Sequence, residues 1–464
     1  MDGSGLTQQP KKQKLNEELD IVDRNIKCLN NLPEEILRYI LSLLPTKDAI
    51  RTSVLCKRWE YLWTSIPNLD FNGSELAKRK QFMNFVERVL LLRDSSDIKK
   101  FTLSCDVLRD ASHVSAWISA AVRRNVQQLY IGLYNFREPF SLPHSLFTCM
   151  TLTELQLDMR CILKLPPTIC FTNLKTLNLS CVTFPKEHST EKLFSGLPVL
   201  EELELENCNW VNLKVVNISA PKLLSIRMVD DRENQNDENG CKVMISGVSL
   251  KYFCYLGEFY NEYHVLNSPS LVEASVFASW FGERKRQIAH HMYMLLTGFS
   301  SVKKLTLAFD AVEVLTYAVE VVELLPHMPI FNNLEYLALE SVNLNSVALL
   351  KILQKFPRLK TMVFSEGISL YSDYERNDRI LDPVPPCFLS QLNCIKVYGY
   401  EGDEEQLSFV KILLKTAVVL DKIVITCSHD FAKDLENHKK VHEQLLKLPR
   451  GSKHCELVFD LNLS

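Results

Sequence analysis

"LPVLEELELENC", residues 197–208, carries the pattern that decides the fold. Leu197, Leu200, Leu203 and Leu205 follow one another at intervals of three, three and two. An interval of two is the period of a strand, in which successive side chains point to opposite faces. Leu203 and Leu205 are therefore expected to point into a core, with Glu202, Glu204 and Glu206 pointing away from it. The same spacing returns at Leu152/Leu155/Leu157, Leu174/Leu177/Leu179 and Leu334/Leu337/Leu339. An aromatic residue or Leu stands at the head of longer copies at Phe171, Leu197, Phe299, Phe331, Phe356 and Leu389. Looser copies start at Ile98, Val126, Leu223, Leu250, Leu271 and Leu420. Stacking such units buries one continuous core, which predicts a solenoid.

The spacing between copies, about 21 to 33 residues, lies around and slightly beyond the range of leucine-rich repeats. Only Cys208 occupies the position where such repeats usually keep an Asn/Cys ladder, so the repeats are irregular. The competing reading is an ordinary α/β domain with chance matches. Residues alternating with the inward leucines should line the concave surface: Glu154, Gln156 and Asp158, then Thr176, Asn178 and Ser180, then Glu202, Glu204 and Glu206. Glu154, Asp158, Glu202, Glu204 and Glu206 are the candidate target-binding residues. An acidic patch there would favour a basic segment through steering and complementarity. The plainer alternative is a row of ordinary solvated strand residues.

Near the start lies "LPEEILRYILSLLPTKDAIRTSVLCKRWEYLW", residues 32–63. Pro33 suits a first helical turn, and Glu34 and Glu35 sit where the helix dipole favours negative charge. Ile36, Leu37, Ile40, Leu41 and Leu44 read as one apolar stripe. Pro45 stops that helix. Thr46 is expected to cap a second, with Ile50, Val54 and Leu55 on its inner face. Trp59, Leu62 and Trp63 would belong to a third helix, ended by Pro67. Three helices this short are individually marginal, and the unit they form is near the lower size limit for an independent core. Its apolar surface needs something to pack on: the rest of the chain, or a partner.

Leu32-Pro33-Glu34-Glu35-Ile36-Leu37, residues 40–49 and residues 52–59 together resemble the F-box of plant proteins, Cys56 standing where that family usually has Ser. The resemblance implies docking onto a Skp-type adaptor and, through it, a cullin ubiquitin ligase. Leu32, Pro33, Ile36, Leu37, Ile40, Leu44, Val54, Leu55, Trp59 and Trp63 are the candidate adaptor-facing and supporting residues. Beyond a charged segment around residues 372–386, the last eighty or so residues resemble the FBD domain that follows leucine-rich repeats in plant F-box proteins. That likeness rests on Pro386-Cys387, Gly399-Tyr400-x-Gly402 with its acidic run, a helix over residues 405–420, a strand over 422–425 and Arg450-Gly451-Ser452. Phe388 stands where the family more often has Leu.

The fold expected is α/β: a polar disordered tail (1–25), a three-helix F-box (26–72), an irregular leucine-rich-repeat solenoid (73–380) and an FBD domain continuing it (381–464).

A net charge of −3 gives no electrostatic reason to expect nucleic acid or an anionic membrane as partner. The polar N-terminus has no secretory signature and no apolar run reaches spanning length, which predicts a protein of cytoplasm or nucleus. Fourteen cysteines without a CxxC pair read as reduced. His438 and His442 lie one helical turn apart, but the spacing lacks the Glu of HExxH, so a solvated helix face is expected. The acidic stretch from Asp230 to Gly240 lacks the ligand alternation of a calcium loop. No P-loop, GxGxxG or GxSxG occurs. The resemblances thus imply a non-catalytic substrate receptor of an SCF-type ubiquitin ligase, without cofactor or metal, whose target protein is unknown. The alternative is a repeat scaffold without ligase activity.

Overall fold

The computed structural model describes residues 31–73, 78–184, 187–210, 213–230, 240–279, 284–320, 328–340, 342–344, 351–365, 368–370, 383–429 and 435–460. The chain divides into two compact units, residues 1–161 and 162–464. The polar tail, the acidic stretch 231–239 and most of the charged segment 372–386 lie outside the described residues.

The first unit contains α1 (Glu34–Ser42), α2 (Thr46–Arg51), β1 (Asn68–Gly73), α3 (Arg79–Leu92), β2 (Lys100–Leu108), α4 (Ala111–Arg123), β3 (Gln128–Phe136) and β4 (Glu154–Met159). Strands β1 to β4 are parallel and adjacent in chain order, so each connection must cross back over the sheet, α3 and α4 doing so for the first two. Leu69, Phe101, Leu129 and Leu155 are in register across the four strands, and all are buried. Arg93, 5% exposed, follows α3 and donates to the carbonyls of Ile66 and, at 3.0 Å, Asp97. Burial pushes its guanidinium down to about 10.

The second unit carries β5 (Thr176–Ser180), β6 (Glu202–Glu206), β7 (Val215–Ser219), β8 (Ser225–Asp230), β9 (Lys242–Ser246), β10 (Tyr252–Gly257), β11 (Glu262–Leu266) and β12 (Glu273–Ala278). It continues with β13 (Lys304–Phe309), β14 (Tyr336–Leu339), β15 (Val342–Leu344), β16 (Thr361–Phe364), β17 (Ile368–Leu370), β18 (Cys394–Tyr400), β19 (Lys422–Cys427) and β20 (Glu456–Asp460). One parallel ladder runs β5-β6-β8-β10-β12-β13-β14-β16-β18-β19-β20. Its inner face has two unbroken rows. Leu177, Leu203, Ile226, Phe253, Ala274, Leu305, Leu337, Met362, Ile395 and Ile423 form one. Leu179, Leu205, Met228, Tyr255, Val276, Leu307, Leu339, Phe364, Val397 and Ile425 form the other. Every one of these is at most 2% exposed, and the two-residue period that marked Leu203 and Leu205 explains them all.

The repeats are joined by a backbone device. The carbonyl just before one strand accepts two successive N–H groups from the next repeat, using both lone pairs. Lys175 O takes Glu201 N (2.8 Å) and Glu202 N (2.9 Å), and Glu201 O takes Leu224 N (2.8 Å) and Ser225 N (3.1 Å). The pattern persists to Asn393 O, which takes Asp421 N (2.9 Å) and Lys422 N (3.0 Å). It needs no particular side chain, which is why irregular repeats stack without an Asn ladder. Cys208, at the usual ladder position, adds a side-chain bond, its Sγ donating to Leu179 O at 3.2 Å.

A second parallel sheet, β7-β9-β11, stacks the return segments of three consecutive repeats. Val216, Val243 and Tyr263 share one register there, Ile218, Ile245 and Val265 another. The FBD region extends the main ladder through β18, β19 and β20. Its signature residues have structural roles. Gly399 (φ 69°) and Gly402 (φ 77°) take left-handed backbone. Asp403 caps the helix Glu404–Thr416 by accepting Gln406 N at 2.7 Å, while Gln406 Oε1 reaches back to accept Glu401 N at 2.8 Å and Gly402 N at 3.2 Å, fixing the turn that precedes the cap. Gly451 donates to Leu414 O at 2.8 Å where a Cβ would meet Lys415 O at 2.6 Å.

Several expectations shift. The helix expected over 405–420 ends at Thr416, because Ala417 leaves the helical conformation (φ −81°, ψ 99°) and a turn at residues 418–419 leads into β19, which reaches Cys427 rather than 425. At the copy headed by Leu389, that side chain is 52% exposed and Phe388 fills the core instead, turned inward by the short helix Pro386–Ser390. His442 is not on a plainly solvated face: its ring stacks on Phe459, centroids 5.2 Å apart.

Candidate functional site

The N-terminal stretch splits what looked like one stripe into two faces. Leu37 and Leu41 of α1 are fully buried, facing the 3-10 helix Leu62–Ser65, whose Leu62 and Trp63 are also buried. Ile36 and Leu44 point the other way and are exposed, as is Pro33, while Leu32 and Ile40 are half-buried. A helix packed on one side buries an arc of roughly 100°, so residues adjacent in sequence fall on opposite sides of that limit. Tyr39 and Leu43 join the outer face, Leu43 being 67% exposed. Neither was singled out from the sequence, although both lie three or four residues from Ile36 or from each other.

The second helix also differs from expectation. Thr46 is not its cap: the hydroxyl accepts the N–H of Asp70 at 2.7 Å and anchors α2 to β1, while Pro45 holds the N-cap position. Val54, expected inside, is 85% exposed, and Leu55 is exposed too. In place of a third α-helix, the chain from Cys56 to Ile66 makes successive i→i+3 bonds, among them Trp59 N to Cys56 O (2.9 Å) and Ile66 N to Trp63 O (3.3 Å). This tighter winding puts three residues in each turn. Trp59 (3% exposed) and Trp63 are thereby buried within the unit. Arg58 donates to Leu32 O at 2.6 Å and Arg38 to Ser65 Oγ at 2.8 Å, tying the start and end of the motif together. The result is a small fixed platform presenting Ile36, Tyr39, Leu43, Leu44, Val54, Leu55 and Tyr61 to solvent. Covering such side chains stabilises a complex by roughly 1.5–3 kcal/mol for each one fully buried.

The candidate target residues lie on the open faces of the strands, and four of the five are engaged with their neighbours. In the first unit, Glu154 accepts from Gln128 Nε2 (2.9 Å) and the Tyr130 hydroxyl, and Asp158 accepts from the Tyr134 hydroxyl (2.7 Å). Burial and then the bond to Glu154 raise the Tyr130 phenol above its ordinary value. In the second unit, Glu204 accepts from Asn178 Nδ2 (2.7 Å) and pairs with Arg227 Nε at 3.0 Å. Glu206 accepts from Ser180 Oγ (2.8 Å), and Glu202 is exposed. Glu154, Asp158, Glu204 and Glu206 are rungs between strands, and the charge of Glu204 is matched by a neighbouring guanidinium. Among the described residues no helix is long and apolar enough to cross a membrane.

Three family models match the chain. The F-box domain covers residues 29–71, the leucine-rich repeats described for FBD-associated F-box protein At5g56370 cover 114–292, and FBD covers 382–425. Among similar proteins of Arabidopsis thaliana, FBD-associated F-box protein At5g56370 is 30% identical over 92% of this chain and 98% of its own length. F-box/LRR-repeat protein At3g59200 is 30% identical over 96% and 90%, and F-box/FBD/LRR-repeat protein At5g56420 is 29% identical over 93% and 98%.

Proposed function

The chain belongs to the family of F-box proteins that carry leucine-rich repeats and an FBD domain, and from that premise we propose that it is the substrate-recognition subunit of an SCF-type ubiquitin ligase. F-box and repeat domains together point to a substrate-adaptor role in ubiquitination. In the finer reading, the F-box docks onto a Skp-type adaptor and through it a cullin, and the repeats hold a target protein. The receptor does no chemistry. It raises the effective concentration of target lysines near a ubiquitin-loaded enzyme, as any tether does. It would act in the cytoplasm or nucleus.

The observation that carries this reading is the division of the F-box into a buried stripe, Leu37, Leu41, Trp59 and Trp63, and an exposed one led by Tyr39, Leu43 and Val54. A motif that only served the fold of its own chain would have no need to hold the second set in water. The test is reconstitution. Full-length chain, a purified Skp-type adaptor and cullin are mixed and resolved by size-exclusion chromatography. Co-elution of all three supports the receptor role; separate elution of a folded chain and the adaptor contradicts it.

A further inference from the structure

The open face of the second unit carries a lateral row beside the acidic rungs. Register places Glu206, Val229, Leu256, Phe277 and Ala308 side by side across β6, β8, β10, β12 and β13. They alternate with the buried rows, so they stand on the opposite side of the sheet. Val229, Leu256 and Phe277 are half-buried, while Ala308, at the β13 end of the row, is fully buried. Phe309 ends β13 next to this row, 47% exposed, with its ring 5.6 Å from that of Phe277.

Phe309 sits at φ 55°, a left-handed conformation. At the ends of β6 and β10 the chain meets the same need with Asn207 (φ 51°) and Gly257 (φ 144°), residues that tolerate it. A bulky aromatic there is strained, and Asp310 N, bonded to Ala278 O at 2.9 Å, holds the turn closed. The chain thus keeps a large aromatic exposed at a position that disfavours it. The charge of the row is one-sided: Glu204 is matched by Arg227, whereas Glu206 is held by a hydroxyl and, among the described residues, pairs with no cation.

We propose that this row, Val229–Leu256–Phe277 with Phe309, is the target-docking surface. Its occupant is an extended segment of the target protein with apolar residues over the row and a basic residue over Glu206. Four strand spacings separate β6 from β13, about 19 Å, which an extended chain covers in about six residues. This deepens the receptor reading and rests on it.

The test uses the full-length chain and two fluorescein-labelled nine-residue peptides, each alternating serine with leucine or phenylalanine. One ends in two arginines, the other in two glutamates, and binding is read by fluorescence anisotropy. The basic peptide should bind at least tenfold tighter than the acidic one. Phe309→Asn should weaken it at least tenfold while leaving the melting temperature unchanged or raised, because Asn accepts the left-handed backbone. Glu206→Gln should narrow the gap between the peptides. Absence of binding, or equal binding by the wild type and Phe309→Asn, overturns the proposal. Sedimentation without peptide covers the other occupant: a wild-type dimer that Phe309→Asn dissociates, together with no peptide binding, assigns the row to self-association and overturns it too. Adaptor capture measured on the same preparations reports separately on the ligase reading.

Discussion

In the ladder of the second unit Phe253 and its row are at most 2% exposed, whereas in the F-box Leu43 stands 67% and Val54 85% exposed. Both regions are rich in large apolar residues. The ladder satisfies them internally, each strand covering the next, and its stability is spread over many equivalent contacts. The F-box satisfies only half of its own, through Leu37, Leu41, Trp59 and Trp63, and holds the remainder outward on a frame braced by Arg38 and Arg58. Apolar residues of the inner rows therefore serve stability, whereas the F-box leaves part of its own in water, and burial separates the two sets.

The contrast breaks most visibly if the ladder is damaged. Phe253→Ala removes a buried ring that packs 5.4 Å from Phe299 and should cost about 3–5 kcal/mol by denaturant unfolding. A loss below 1 kcal/mol would mean that the rows are not the stabilising core. Next comes the turn after β10. Gly257→Ala forces a side chain onto φ 144° with its Cβ 2.3 Å from Asp230 O, and a destabilisation of about 1–3 kcal/mol or more is expected in the same assay. An unchanged midpoint would contradict the tight strand-end geometry. Smaller still is the exposed rung. Arg227→Ala should cost at most about 1 kcal/mol, and less in high salt, because both partners of the Glu204 pair are more than a third solvent-exposed. A larger, salt-independent loss would assign that pair a structural weight the ladder does not require.

The inner rows were legible because strand alternation has a period of two and leaves no ambiguity about which side a residue takes. Even the loose copies at Ile98, Val126, Leu223, Leu250, Leu271 and Leu420 are at most 1% exposed. The return strands β7, β9 and β11 carry the same alternation, as in Val216 and Ile218, but five-residue segments between stronger copies are easily passed over. The F-box faces were not separable. Ile36 and Leu37 are neighbours in sequence, and only the position of the 3-10 helix Leu62–Ser65 decides which of them is covered. The acidic rungs were visible as residues but not as bonds, because the partners Asn178, Ser180 and Arg227 come from adjacent repeats.

The smallest expected change in stability accompanies the largest expected change in binding. Leu43→Asp combined with Val54→Asp replaces two exposed side chains and should shift unfolding by no more than about 0.5 kcal/mol per site. Titration calorimetry of this variant against a purified Skp-type adaptor tests the division of the F-box most directly. That division predicts at least a tenfold loss of affinity with the melting temperature unchanged, whereas Trp59→Ala should lose affinity and stability together. Wild-type affinity in the double variant would contradict it.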